Sequence, residues 1–172
     1  MGARTILVDA DLRRPRCHQL FSTGLAIGLS DLLASQRPLA EVVNSPVTNL
    51  SLLCAGSSTP NPSALLVSQQ MRDLLQDLRR RHDCVLVDSA PVMSASDTSA
   101  LATMVDGVVL VIGQDTPRQA VLESYGRLIH AGARVLGFVF NRVDFNRPQH
   151  RSHKQCYRYY NYYAESGSRT DI

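Results

Sequence analysis

"ILVDADLRRP", residues 6–15, runs three apolar residues into two aspartates spaced i, i+2, and then into two arginines and a proline. Buried strands of parallel sheets read as short continuous apolar runs, and ligands gather beyond the carboxyl ends of such strands. Ile6, Leu7 and Val8 therefore read as buried strand, and Asp9 and Asp11 as the rim of a site. Side chains two apart on a strand share a face, so both carboxylates address one ligand from one side wherever the strand persists that far. Two close carboxylates repel, and a hard cation such as Mg²⁺ between them relieves the repulsion. The plainer reading is that Asp9 ends the strand and Asp11 caps a turn.

Around this stretch lies ordinary globular material: 172 residues, 44% hydrophobic and 19% charged, enough for one domain and neither disordered nor fibrous. The four cysteines, Cys17, Cys54, Cys84 and Cys156, form no C-x-x-C pair, and Cys84 falls inside an apolar run. Reduced thiols in a cytosolic compartment are expected. No apolar run approaches the ~20 residues that span a bilayer, and the N-terminus lacks the regions of a signal peptide, so a soluble chain is expected. The net charge of +3 is unevenly placed, because Arg147, Arg151, Lys154 and Arg158 have no acid among them. The basicity belongs to the tail.

Four further apolar runs follow: "LSLLCAG" at 50–56, "CVLVDSAP" at 84–91, "GVVLVIG" at 107–113 and "RVLGFVFN" at 134–141. Each has strand length, and helical patterns separate them. "SALLVSQQMRDLLQDLRRRH" predicts one helix from an N-cap at Ser63, with Leu66, Met71, Leu74, Leu75 and Leu78 at helical spacing and cations at its C-terminus. "TPRQAVLESYGRLIHAG" predicts another, with Pro117 in the first turn and Gly132 as the stop. Alternating strands and helices imply parallel pairing through right-handed crossovers. From about Phe145 the periodicity stops and an extended, disordered tail is expected.

"CVLVDSAPV" repeats the opening logic, with Asp88 at the C-terminal end of an apolar strand. Two parallel strands that each deliver an aspartate to one sheet edge suit a phosphoryl-transfer metal site. Here the chain resembles the bacterial tyrosine kinases, or BY-kinases, whose catalytic domain is a variant P-loop ATPase. Residues 6–15 resemble the family's Walker A′ motif, residues 85–91 its Walker B, and "PNPSALLVSQQM" at 60–71 the segment between them. "YRYYNYYAE" resembles its C-terminal tyrosine cluster.

The resemblance implies an α/β, P-loop NTPase-like fold with a mostly parallel sheet flanked by helices. It divides the chain into a partial kinase domain, 1–144, and a flexible basic Tyr-rich tail, 145–172. It implies ATP and Mg²⁺ as cofactors, with Asp11 and Asp88 near the metal and Asp9 polarising the attacking tyrosine hydroxyl. Arg13 and Arg14 neutralise phosphate or lie on a subunit interface, and Asn141 reads the adenine edge. Tyr157, Tyr159, Tyr160, Tyr162 and Tyr163 are the implied phosphoacceptors. The implied process is capsular or exopolysaccharide biosynthesis and export, at the inner face of the plasma membrane. Implied partners are a membrane polysaccharide co-polymerase, fused or separate, other copies of the chain for trans-phosphorylation, and a cognate tyrosine phosphatase.

One family element is absent from these residues: the Walker A loop, G-x-x-x-x-G-K-[ST], whose amides and lysine cradle the phosphates. The expectation is a kinase domain lacking its P-loop strand and helix, with unpaired edges, exposed apolar surface and little activity by itself. Two competing readings concern the tail, as a nucleic-acid binder through its aromatic and basic groups or as a zinc site from His150, His153 and Cys156. A third makes the chain a non-catalytic scaffold or phosphoacceptor.

Overall fold

The computed structural model describes residues 2–24, 27–35 and 38–144. The expectations for 145–172, the tyrosine cluster and the His–Cys alternative included, lie outside the described residues. Strand β1 (Thr5–Asp9) is the apolar run of the opening stretch. It lies between β3 (Leu50–Leu53) and β4 (Cys84–Asp88), parallel to both. β2 (Val43–Val47) adds antiparallel to β3, giving the order β2-β3-β1-β4. β5 (Val108–Gly113) and β6 (Val135–Asn141) pair parallel in a separate sheet.

The helices are short except for two: α1 (Cys17–Leu20), α2 (Leu29–Ser35), α3 (Pro62–Leu66), α4 (Gln69–Arg81), α5 (Ser96–Leu101) and α6 (Arg118–His130). The single helix expected from Ser63 is two. Asn61 caps α3 by accepting from Ala64 N at 3.2 Å, and Ser68 caps α4 by accepting from Met71 N at 3.2 Å. The apolar period runs across the break, which conceals it; the second cap residue restarts the helix. Met71, Leu74, Leu75 and Leu78 on α4 pack against Ile6 and Val8, each burial contributing about 1.5–3 kcal/mol as an upper bound.

Backbone hydrogen bonds join the start of α2 to the residues that follow β3. Leu29 N and Ser30 N donate to Cys54 O and Ala55 O at 2.8 and 2.9 Å, and Asp31 Oδ2 accepts from Gly28 N and Ser57 N at 2.9 and 3.0 Å. Burial alone would raise the Asp31 carboxyl, but the Ser57 and Gly28 donors outweigh it and hold the group below its usual range. The backbones approach so closely at Gly28 that a Cβ there would overlap the Cys54 carbonyl oxygen.

Among the described residues the two sheets are not hydrogen-bonded to each other, and β4 and β5 belong to different sheets. Leu86 is 51% exposed and Val109 and Val111 are 52% and 59% exposed, although their runs read as buried strands. A cavity of about 680 Å³ lies there, lined by β4 residues Cys84 to Leu86, by Gly107 and Val109, and by α4. Open edges and bare apolar faces are what the sequence leads one to expect of a sheet lacking a central strand. Cys84 on β4 is an exposed thiol, while Cys17 and Cys54 are buried. Among the described residues no helix is long and apolar enough to cross a membrane.

Candidate active site

Parallel register, not sequence proximity, builds the site. β1 and β4 pair from Thr5–Cys84 to Asp9–Asp88, and Ala10 N donates to Asp88 O at 2.7 Å, so the ladder ends with two aspartates side by side. Asp9 is fully buried. Its Oδ2 accepts from Arg16 N at 3.2 Å and Cys17 N at 3.0 Å, while its Oδ1 has no hydrogen-bond partner among the described residues. Cys17, at the start of α1, donates its thiol to Asp88 Oδ2 at 3.8 Å. One ligand atom from each of Asp9, Cys17 and Asp88 lies within 4.8 Å of the others.

The electrostatics follow from that crowding. Burial, then repulsion from Asp9 and Asp11, raises the Asp88 carboxyl above its ordinary value, against the opposing Cys17 hydrogen bond. Residue 88 as a whole is exposed on the open side of β4, so solvent tempers the shift. Burial first, then the charges of Asp9 and Asp88, pushes the Cys17 thiol up to about 12. Both shifts express one condition: the pocket concentrates negative charge, and a cation relieves it.

Asp11 stands apart from Asp9. β1 ends at Asp9, so the shared-face argument for the two carboxylates does not apply. Asp11 sits in the following loop, where Oδ1 accepts from Arg13 N at 3.2 Å and Arg14 N at 3.0 Å, the turn-capping role of the plainer reading. It remains close enough to repel Asp88. Arg13 turns inward, its Nη1 meeting Asp97 Oδ2 at 2.8 Å and its Nη2 donating to Ser63 Oγ at 2.9 Å. Arg14 is exposed. Asn141 ends β6 in the second sheet, where its Oδ1 accepts from Arg142 N at 2.8 Å and Arg142 adopts φ 58°. The structure thus assembles Asp9, Asp88 and the neighbouring Asp11, and gives Arg13 and Asn141 structural partners.

Sequence reasoning missed Cys17 and Asp97. Cys17 is one thiol among four with no motif around it, and Asp97 is 84 residues from its arginine. Only the fold puts them at the loop that follows β1.

No protein-family model matches the chain. EpsB of Ralstonia solanacearum, named as a tyrosine-protein kinase, is 37% identical over 172 residues, covering 98% of this chain and 23% of that protein. The chain therefore spans about a quarter of that relative. CapB of Staphylococcus aureus, also named as a tyrosine-protein kinase, is 30% identical over 166 residues, covering 95% of this chain and 69% of CapB. Among solved structures, the VpsO kinase domain superposes with a TM-score of 0.77 at 34% identity, over 83% of this chain and 71% of that one. Cobyrinic acid a,c-diamide synthase from Mycobacterium smegmatis, solved with an ATP analogue and magnesium, shares the fold at a TM-score of 0.67 and 16% identity, over 83% of this chain and 65% of that one. The P-loop NTPase-like architecture, the paired aspartate strands and these relatives agree, and the chain belongs to the bacterial tyrosine kinase family.

Proposed function

We propose that this chain supplies the carboxylate side of a Mg-ATP-dependent protein-tyrosine kinase site. The observation that carries the reading is the in-register meeting of Asp9 and Asp88, with one buried Asp9 oxygen left without a donor among the described residues. Hard carboxylate oxygens suit Mg²⁺, and the orphaned oxygen fits a site that takes a cation or an acidic proton. Asp11 and Asp88 would hold the ion, which when bound neutralises charge on the nucleotide phosphates. Asp9 Oδ1 is the acceptor we assign to the proton of a tyrosine hydroxyl, a phenol of pKa about 10 that needs such a base during transfer.

Arg14, exposed beside this rim, is assigned to phosphate, and Arg13 to holding the loop in place. Asn141 would meet adenine through its amide NH₂, since its oxygen already accepts from Arg142. Residues 1–172 contain no G-x-x-x-x-G-K-[ST] run, and the proposed reaction needs a phosphate cradle that these residues do not supply. We place the strand that leads into it in the gap between β4 and β5, whose facing edges have no strand partner among the described residues. The tyrosines at 157, 159, 160, 162 and 163 are the proposed acceptors, delivered in trans between copies. Capsular or exopolysaccharide export, a membrane co-polymerase, a cognate phosphatase and a place at the cytoplasmic membrane face complete the proposal, supported by family membership.

The test is phosphotyrosine formation from Mg-ATP in a version preceded by a phosphate-loop segment. Asp88→Asn, nearly isosteric, should reduce transfer to background while leaving the circular dichroism spectrum unchanged. Unchanged transfer would make Asp88 a turn residue and overturn the reading. Residues 1–172 alone should transfer no measurable phosphate, because most electrostatic stabilisation of the transferring group is missing; robust activity there would show that no cradle is needed.

A further inference from the structure

The Cys17 thiol has no part in the reaction proposed above, yet it points at its centre. Cys17 is 4% exposed, its Sγ lies 3.8 Å from Asp88 Oδ2, and its backbone N–H already holds Asp9 Oδ2 at 3.0 Å. A thiol beside two acids is not by itself a site. The second observation is Asp9: fully buried, in the same group, with an oxygen that has no partner among the described residues. A buried, unpaired carboxylate oxygen is costly in a low-dielectric setting and calls for a positive partner.

We propose that Asp9, Cys17 and Asp88 form a three-ligand site for a thiophilic divalent cation, Zn²⁺ in particular. The donor set selects the ion. Mg²⁺ takes oxygen ligands and gains nothing from sulfur, whereas Zn²⁺ binds a mixed thiolate–carboxylate set tetrahedrally. With Zn–S about 2.3 Å and Zn–O about 2.1 Å, ligand atoms around a tetrahedral ion stand about 3.6 Å apart. The Cys17–Asp88 separation of 3.8 Å matches that, and the 4.8 Å limit of the group closes with about 1 Å of side-chain movement. Asp88, the exposed member of the group, is the entry path. On binding, the thiol gives its proton to water and the thiolate pairs with the ion; nothing is oxidised. Because Asp88 is a donor in both sites and Asp9 Oδ1 is also the proposed proton acceptor, an ion held this way excludes the hard cation of the kinase reading. The site makes the chain sensitive to zinc, but its existence does not depend on that reading.

The experiment titrates the purified 172-residue chain with Cd²⁺, a spectroscopic substitute for Zn²⁺, following the thiolate-to-metal charge-transfer absorption, and then displaces Cd²⁺ with Zn²⁺. Asp88→Asn and Cys17→Ser are compared with a Cys84→Ser, Cys156→Ser double variant, which removes the exposed thiol and the tail thiol. One equivalent of Cd²⁺ should give the band in the wild type and the double variant. Cys17→Ser should lose it, and Asp88→Asn should bind at least about tenfold more weakly, since even outer partners of metal ligands cost that much. A band that survives Cys17→Ser, or vanishes in the double variant, assigns the metal to another thiol and overturns the proposal. So does unchanged affinity in Asp88→Asn, whose exposed side chain leaves the core untouched should Cys17→Ser fold poorly. Mn²⁺ binding followed by electron paramagnetic resonance separates the two readings: its absence in the wild type counts against the hard-cation site and leaves the Cd²⁺ result standing.

Discussion

Arg13→Met asks whether the arginine after the aspartate strand serves a ligand or the fold. Its guanidinium bridges two elements, meeting Asp97 on α5 at 2.8 Å and Ser63 on α3 at 2.9 Å. The Asp97 side chain is 1% exposed and the Arg13 side chain 36%. Removing one partner of a fully buried pair costs about 3–5 kcal/mol, because an uncompensated charge stays behind. Water reaching the exposed third of Arg13 already screens the pair, and Asp97 Oδ1 keeps its bond from Thr98 N at 3.0 Å. We therefore expect a loss of about 2–3 kcal/mol for Arg13→Met. At about 2–4 °C per kcal/mol for a chain of this size, the melting midpoint falls by roughly 4–12 °C. Asp97→Asn in the same background removes the stranded charge and should recover about half of the loss, a coupling well above additivity error. Urea and thermal unfolding followed by circular dichroism measure all four corners of the cycle. A midpoint shift below about 2 °C with no coupling to Asp97 would refute the argument and return Arg13 to the role of a free phosphate-neutralising cation.

Three further outcomes follow from the same geometry. Gly28→Ala should destabilise by about 3 kcal/mol or more, because its Cβ overlaps the Cys54 carbonyl, whereas Gly126→Ala, on α6 with nothing within 4 Å, should stabilise by about 0.5–1 kcal/mol; denaturant midpoints decide both. The bare edges and faces at β4 and β5 should drive concentration-dependent self-association, which Leu86→Lys and Val109→Lys should each reduce in sedimentation velocity; unchanged association would place the contact elsewhere. Asp88 has a folded-state carboxyl raised above its unfolded value, so the native state holds its proton longer and stability falls as pH rises through the interval between the two values. In metal-free buffer, Asp88→Asn should be more stable than the parent above that interval and equal to it below about pH 3, near the foot of the ordinary aspartate range; a parent as stable as the variant at neutral pH contradicts the crowding of charge.

How much of this was legible in the sequence depends on how far apart the interacting residues lie. The strands at 6–9, 84–88, 108–113 and 135–141 announce themselves by continuous apolar runs, and α6 by its period and its glycine stop. β2 was missed because "VNSPV" carries Pro46 and two polar residues, tolerable only on an edge strand with an irregular ladder. The break at Ser68 was hidden by a hydrophobic period that continues through it. Asp9 and Asp88 were recognised because each stands at the end of its own apolar run. Their pairing with Cys17, and that of Arg13 with Asp97, arises from tertiary contacts for which one sequence holds no local signal.

The same contacts explain why the acid pair depends on the gap beside it. Asp88 faces Asp9 because β4 is in register with β1; a slip of one residue would turn Asp88 to the opposite face and bring Val87 or Ser89 to the rim. Among the described residues β4 is hydrogen-bonded along one edge, to β1, and Val85 and Val87 anchor it in the core, while Leu86 on the carboxylate's own face is half exposed. Burial first, and then the repulsion from Asp9, raises Asp88, and both act on a strand at the edge of its sheet. A strand seated along the open edge of β4 would complete its ladder and fix its register. Covering the adjoining face would desolvate the carboxylates further and strengthen their demand for a cation. Filling the gap and loading the site with metal are in this sense coupled: each makes the other more favourable, through the register of a single five-residue strand.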